Sequence, residues 1–142
     1  MLDKSKIRIL IIDDDSEFSQ VLRMHLAAAG YVAEVAEDGI EGGKAIVARL
    51  PHLILCDINM PHLSGLELVE LLRADRVSAS IPVIFVSGRS DGEAITKAVK
   101  LGAADFLVKP VTREELLKSV AACLESGGRK PFAPDVGFPP VV

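Results

Sequence analysis

Three aspartates and a lysine, each closing an apolar run, are the residues of this 142-residue chain best placed to do chemistry. His52-Leu53-Ile54-Leu55-Cys56 reads as a buried strand that ends on Asp57, and Ile7-Arg8-Ile9-Leu10-Ile11-Ile12 ends in the same way on Asp13 and Asp14. A later run, Asp105-Phe106-Leu107-Val108, ends on Lys109. In an open α/β sheet the carboxyl ends of the strands converge on the crevice where ligands bind. Three converging carboxylates with a lysine therefore point to a divalent-cation and phosphoryl site.

The elements that must position these groups alternate strand and helix with short connections, the pattern of a parallel sheet covered on both faces. The first strand spans about Ile7 to Ile12. A helix follows, with Ser16 as its N-cap, Phe18, Val21, Leu22 and Leu26 on a helical period, and Gly30 as its stop. Tyr31 to Ala36 forms a short second strand. A weaker helix covers Gly39 to Arg49, because Gly42 and Gly43 each cost about 1 kcal/mol relative to alanine. The third strand ends at Asp57, and the third helix carries Leu66, Val69 and Leu72 after a loop from Pro61 to Gly65. Ile81 to Val86 is a continuous apolar run ending at Ser87, as expected of a strand buried on both faces. A fourth helix spans about Asp91 to Leu101 with Ala94, Ile95, Ala98 and Val99 inward and Gly102 closing it. The fifth strand ends at Lys109, and Thr112-Arg113-Glu114-Glu115 opens the last helix with a capping-box pattern.

The chain is long enough to bury one core, and its 49% hydrophobic content with mixed charge signs fits a globular domain. A net charge of -4 and a pI near 5.4 argue against a nucleic-acid-binding surface on this domain, which needs clustered Lys and Arg. No apolar stretch is long enough to span a bilayer and no signal-peptide core is visible, so the expected location is the cytoplasm. Cys56 and Cys123 read as small core residues rather than a disulfide. His25, His52 and His62 are too scattered to form a ligand cluster. Residues 1–125 thus form one domain, and the Gly- and Pro-rich residues 126–142 read as an extended tail or linker stub. There is no internal repeat.

Four blocks in order resemble the receiver domains of two-component response regulators, over about residues 7–125. They are Ile11-Ile12-Asp13-Asp14-Asp15; Leu55-Cys56-Asp57-Ile58-Asn59-Met60-Pro61 with Ser64-Gly65 beyond; Pro82-Val83-Ile84-Phe85-Val86-Ser87-Gly88; and Gly102-Ala103-Ala104-Asp105-Phe106-Leu107-Val108-Lys109-Pro110. The resemblance implies a flavodoxin-like, doubly wound sheet of five parallel strands in the order 2-1-3-4-5 with five helices. It implies that Asp57 accepts a phosphoryl group from a histidine kinase or phosphotransfer protein, forming an aspartyl phosphate. Asp14 and Asp57 would ligate Mg²⁺, Asp13 would act through water, and Asn59 would lend its backbone carbonyl. Ser87 and Lys109 would contact phosphoryl oxygens, Phe106 would report the state by its rotamer, and the Lys109-Pro110 bond would be cis. Further implied partners are an output domain beyond the tail and a second copy, through the fourth helix, fifth strand and fifth helix.

Physical chemistry supports the same roles. Two like charges 4 Å apart repel by about 4 kcal/mol at an effective dielectric of 20, so clustered carboxylates shift their pKa values or recruit a cation. Mg²⁺ keeps several waters and takes phosphate oxygens as further ligands. Taken alone, Asp13-Asp14-Asp15 would serve equally as a helix-capping turn, Lys109 as a surface lysine, Ser87 as a turn former and Phe106 as core. Gly88 stands where alanine is usual, Phe106 lacks the hydroxyl of the frequent tyrosine, and Asn59 and Arg89 sit where similar proteins tune dephosphorylation. Alternatives are a degenerate receiver acting only as an interaction module and a haloacid-dehalogenase-type phosphohydrolase. The latter needs an acid two residues beyond the nucleophile, where this chain has Asn59. A flavodoxin-like cofactor binder would need a phosphate-cradling loop where this chain has acids. The chain reads as a non-enzymatic signalling domain, either a stand-alone regulator or the N-terminal part of a longer protein.

Overall fold

Alternating apolar side chains along the strands supply two hydrophobic faces, and the chain covers both. The computed structural model describes residues 3–88 and 91–126, so the expectations for Arg89 and for the tail beyond Ser126 lie outside the described residues. After a 3-10 turn at Lys4–Lys6 the order is β1 (Arg8–Ile12), α1 (Ser16–Ala28), β2 (Val32–Ala36), α2 (Gly39–Ala48), β3 (Leu53–Cys56), α3 (Gly65–Ala74), β4 (Val83–Ser87), α4 (Gly92–Lys100), β5 (Asp105–Val108) and α5 (Arg113–Glu125). All neighbouring strands are parallel, in the order β2-β1-β3-β4-β5.

The pleat divides the core in two. Ile9 and Ile11 of β1, Leu53 and Leu55 of β3, and Ile84 and Val86 of β4 pack with Leu22 and Leu26 of α1 and Leu116 and Val120 of α5. Leu10, Ile12, Ile54, Cys56, Val83 and Phe85 face the other way and pack with Ile46 of α2, Leu68, Val69 and Leu72 of α3, and Ala94 and Ala98 of α4. Every residue of β3 and β4 is buried, as the continuous apolar runs require.

Helix α2 forms despite its glycines because packing outweighs propensity. A Cβ on Gly42 would lie 2.7 Å from Cδ1 of Ile12, so this glycine sets how closely α2 approaches β1. Gly30, at φ +104°, turns the chain from α1 into β2. Arg73 joins the far ends of three elements. Its guanidinium donates to the carbonyls of Leu101 at 2.8 Å, Ile81 at 2.7 Å and Ala79 at 3.2 Å.

Local details differ from the sequence expectations in four places. The N-cap of α1 is Asp15, whose carboxylate accepts from the Phe18 amide at 3.1 Å, and Ser16 is the first helical residue. A carboxylate is the stronger acceptor at the positive end of the helix dipole. Val21 faces solvent, and Ser19 takes the buried place beside Leu22, because the buried stripe of α1 is narrower than its apolar pattern. At Val99, expected inward, the side chain is only partly buried. At α5 the Thr112 side chain accepts from the Glu115 amide, but Glu115 takes the Thr112 hydroxyl rather than its backbone N–H; the reciprocal box forms at α3 between Ser64 and Glu67.

Candidate functional site

Strand order decides the site. β1 and β3 are neighbours whose following helices lie on opposite faces, so the crevice of the doubly wound sheet opens above their carboxyl ends. Asp13 follows β1 and Asp57 follows β3, locked in register by the Asp57 amide donating to the Ile12 carbonyl at 2.9 Å. Ser87 ends β4, and Lys109 follows β5, its amide donating to the Ser87 carbonyl at 2.9 Å. The Lys109-Pro110 bond is cis.

The side chains converge as the sequence expects. Asp13, Asp14 and Asp57 each offer a carboxylate oxygen, and these oxygens lie within 4.8 Å of one another. Asp13 and Asp57 are only 3% and 6% exposed, whereas Asp14 faces solvent. The Lys109 ammonium reaches between the two buried acids, 2.9 Å from Oδ2 of Asp13 and 3.6 Å from Oδ2 of Asp57. Asp13 turns its other oxygen to the Asp15 amide at 2.9 Å, and Asp57 turns Oδ1 to the Ile58 amide at 2.8 Å.

One lysine cannot neutralise this cluster. Burial, and then repulsion from Asp13, push the Asp57 carboxyl up to about 6, against the opposing pull of Lys109 and the Ile58 and Asn59 amides. Burial alone would lower the Lys109 ammonium, but its hydrogen bond to Asp13 and the charges of Asp13, Asp57 and Asp15 together raise it. The arrangement is a hard, all-oxygen donor set with surplus negative charge. Such a set fits Mg²⁺ in oxygen chemistry and in charge.

Ser87 is fully buried and Phe106 nearly so, the Phe106 ring centroid 6.4 Å from that of Phe85 on the adjacent strand. Asn59 is exposed just beyond Asp57. His62 is also exposed, in a loop where its φ is +69°.

The sequence reading singled out Phe18 and Gly65 but not the part each plays at the site. Phe18, assigned to the core by its helical period, lies under the Lys109 ammonium, 4.5 Å from ring centroid to Nζ, a cation–π contact that helps hold the lysine over the acids. Gly65 carries no polar group, yet a Cβ there would stand 1.9 Å from the Asp57 carbonyl oxygen. The Gly65 amide donates to Ile58 at 2.9 Å, so α3 begins against the backbone of the Asp57 loop.

Fold and site together define a doubly wound α/β domain with an acidic cluster and a paired lysine at its switch point. Residues 9–121 match the model of the response regulator receiver domain, and the chain belongs to that family. It is 38% identical over 119 residues to the transcriptional regulatory protein RprY of Bacteroides fragilis, covering 84% of this chain and 50% of that protein. It is 37% identical over 126 residues to the DNA-binding dual master transcriptional regulator RpaA of Synechocystis, covering 89% and 52%. Among solved structures, chemotaxis protein CheY4 of Vibrio cholerae superposes with a TM-score of 0.78 at 29% identity, covering 82% of this chain and 97% of that one. A CheY-like receiver domain protein of Methanospirillum hungatei JF-1 gives 0.79 at 30% identity, covering 85% and 95%. The chain thus spans about half the length of these curated relatives and nearly all of the two solved chains. No helix among the described residues is long and apolar enough to cross a membrane.

Proposed function

We propose that Asp57 is the phosphoacceptor of a cytoplasmic receiver domain, residues 1–125, that takes its phosphoryl group from a histidine kinase or phosphotransfer protein. The observation that carries this reading is the Lys109 ammonium set between two buried strand-end carboxylates with a third acid within ligand range. Oδ1 of Asp57 accepts from the Ile58 amide, and Oδ2, facing Lys109 at 3.6 Å, is the oxygen we assign to attack phosphorus. The P–O bond to Oδ2 forms as the bond to the donor breaks, and the donor leaves with the electron pair. At pH 7 the carboxyl is mostly ionised even with its raised pKa, so no general base is required.

Asp13, Asp14 and Asp57, with the Asn59 carbonyl, would hold Mg²⁺, which when bound offsets charge on the cluster and on phosphoryl oxygens. Lys109 stays within reach of both acids and supplies positive charge to the transferred group, with Ser87 as the hydroxyl contact. The Lys109–Ser87 backbone bond and the Phe85–Phe106 pairing link the pocket to β4 and β5, the route by which Phe106 would alter the surface of α4, β5 and α5. That surface would act on a partner, on a second copy or on an output domain beyond the tail. The DNA-binding description of RpaA makes a transcriptional output a reasonable form for it, with this domain itself not touching nucleic acid.

The test is intact-mass spectrometry after incubation with acetyl phosphate. One phosphoryl adduct that depends on Mg²⁺ and is absent in Asp57→Ala is expected. Equal labelling of Asp57→Ala overturns the assignment, and an unlabelled wild type leaves the interaction-module reading in its place.

A further inference from the structure

Large apolar side chains exposed on this domain are not scattered. Nine are exposed among the described residues, and five of them, Ile40, Val47, Leu50, Leu71 and Val77, line one groove between α2 and α3. Val47 is 87% exposed and Leu71 60%, so burying them against another surface would remove much apolar area from water. The groove floor is open at Gly43, where an added Cβ would meet nothing nearer than Cδ1 of Leu68 at 4.0 Å.

The two rims differ in charge. On the α2 side stand Lys44 and Arg49, which line the groove, and exposed Glu41, which pairs with Lys44 at 3.4 Å, so this rim carries one net positive charge. On the α3 side stand Glu67, Glu70 and Asp75, all exposed, with Arg76 beyond them at the lower end. On a helical wheel Lys44 and Glu70 both point outward at mid-height, flanking Val47 and Leu71. A two-fold axis parallel to the helices lays the α2 rim of one molecule over the α3 rim of another, basic against acidic, with the apolar stripes between.

We propose that the α2–α3 face is a self-complementary interface that pairs two copies of this chain. A surface with one net-positive and one net-negative rim matches itself under such a rotation, as an isologous contact requires. Each helix is ten residues, about 15 Å long, so the face falls at the small end of specific interfaces and the dimer is reversible and concentration-dependent. The contact uses neither the acidic pocket nor α4, β5 and α5, so it stands apart from phosphorylation.

Sedimentation velocity of the full chain at rising concentration, without phosphodonor, tests this. A monomer–dimer equilibrium is expected, with the dissociation constant raised at least tenfold by Val47→Asp or Leu71→Asp. Both sites are solvent-exposed, so circular dichroism should show these variants folded. Lys44→Glu should weaken the dimer, and Lys44→Glu with Glu70→Lys should restore it, because that one facing pair is then opposite in sign again. A chain that stays monomeric to about 1 mM overturns the proposal, as does a dimer indifferent to Val47→Asp or a charge exchange without recovery. Removal of residues 127–142 that shifts the amide signals of Val47 and Leu71 in a monomer would also overturn it, by making the tail the occupant.

Discussion

Replacing Asp57 by asparagine should stabilise the metal-free domain, although it removes the residue on which the proposed chemistry depends. The substitution keeps the shape and the oxygen that accepts the Ile58 amide at 2.8 Å, and it deletes a buried charge facing Asp13. Lys109 keeps its nearer partner, Asp13 at 2.9 Å. The carboxyl rises from its ordinary 3.8 to about 6, so the folded state binds this proton more tightly than the unfolded state. Ionised Asp57 therefore costs stability, up to about 3 kcal/mol at neutral pH, and ~1–3 kcal/mol once the unmatched amide N–H groups of asparagine are allowed for. The sign follows from the raised value. Below about pH 4 the group is protonated in both states and costs nothing; the penalty develops as pH rises toward 6 and is complete above it. Urea unfolding in EDTA from pH 4 to 8 should show Asp57→Asn gaining on the wild type over that window. Added Mg²⁺ should narrow the gap, because it binds the folded wild-type cluster and not the unfolded chain. A mutant less stable than wild type at pH 7.5, or a gap that does not change with pH, would refute the account of the buried charge.

Gly65→Ala places a methyl 1.9 Å from the Asp57 carbonyl, so α3 must move; a loss of at least ~2 kcal/mol in denaturant unfolding is expected, and wild-type stability would disprove the close approach. Asp14→Ala should weaken Mg²⁺ binding, followed by amide chemical shifts, at least tenfold. Asp15→Ala should leave that affinity nearly unchanged while costing about 1 kcal/mol as a lost N-cap, and the reverse order would misplace the acidic run. Lys109→Ala removes the cation between Asp13 and Asp57, so the Asp57 carboxyl should rise above 6 and acetyl-phosphate labelling should slow at least tenfold with Mg²⁺ still bound; unchanged labelling would reject its role.

The central strand runs and the acids that close them were legible in the sequence because parallel strands buried on both faces must be continuously apolar, whereas the strand order followed only from the resemblance to receiver domains. A polar residue at the carboxyl end of such a run can reach the crevice or cap the helix that follows, as Asp13 and Asp15 respectively do. The joint occurrence of Asp13, Asp14, Asp57 and Lys109 therefore carried the site before any distance was known. Capping at α1 was legible only to within a residue, since Asp15 and Ser16 both suit an N-cap and the structure gives Asp15 the extended backbone and the bond from the Phe18 amide. Periodicity could not say that Val21 faces water or that Ser19 is buried, because the width of a helix's buried stripe depends on what packs against it. The pairing of Phe18 with Lys109 joins positions 91 residues apart, and the vacancy at Gly65 exists only because α3 starts against the Asp57 carbonyl. The raised Asp57 carboxyl belongs to the same class. Residue types set which charges can meet, but their burial and the few ångströms between them come from docking the helices onto the sheet.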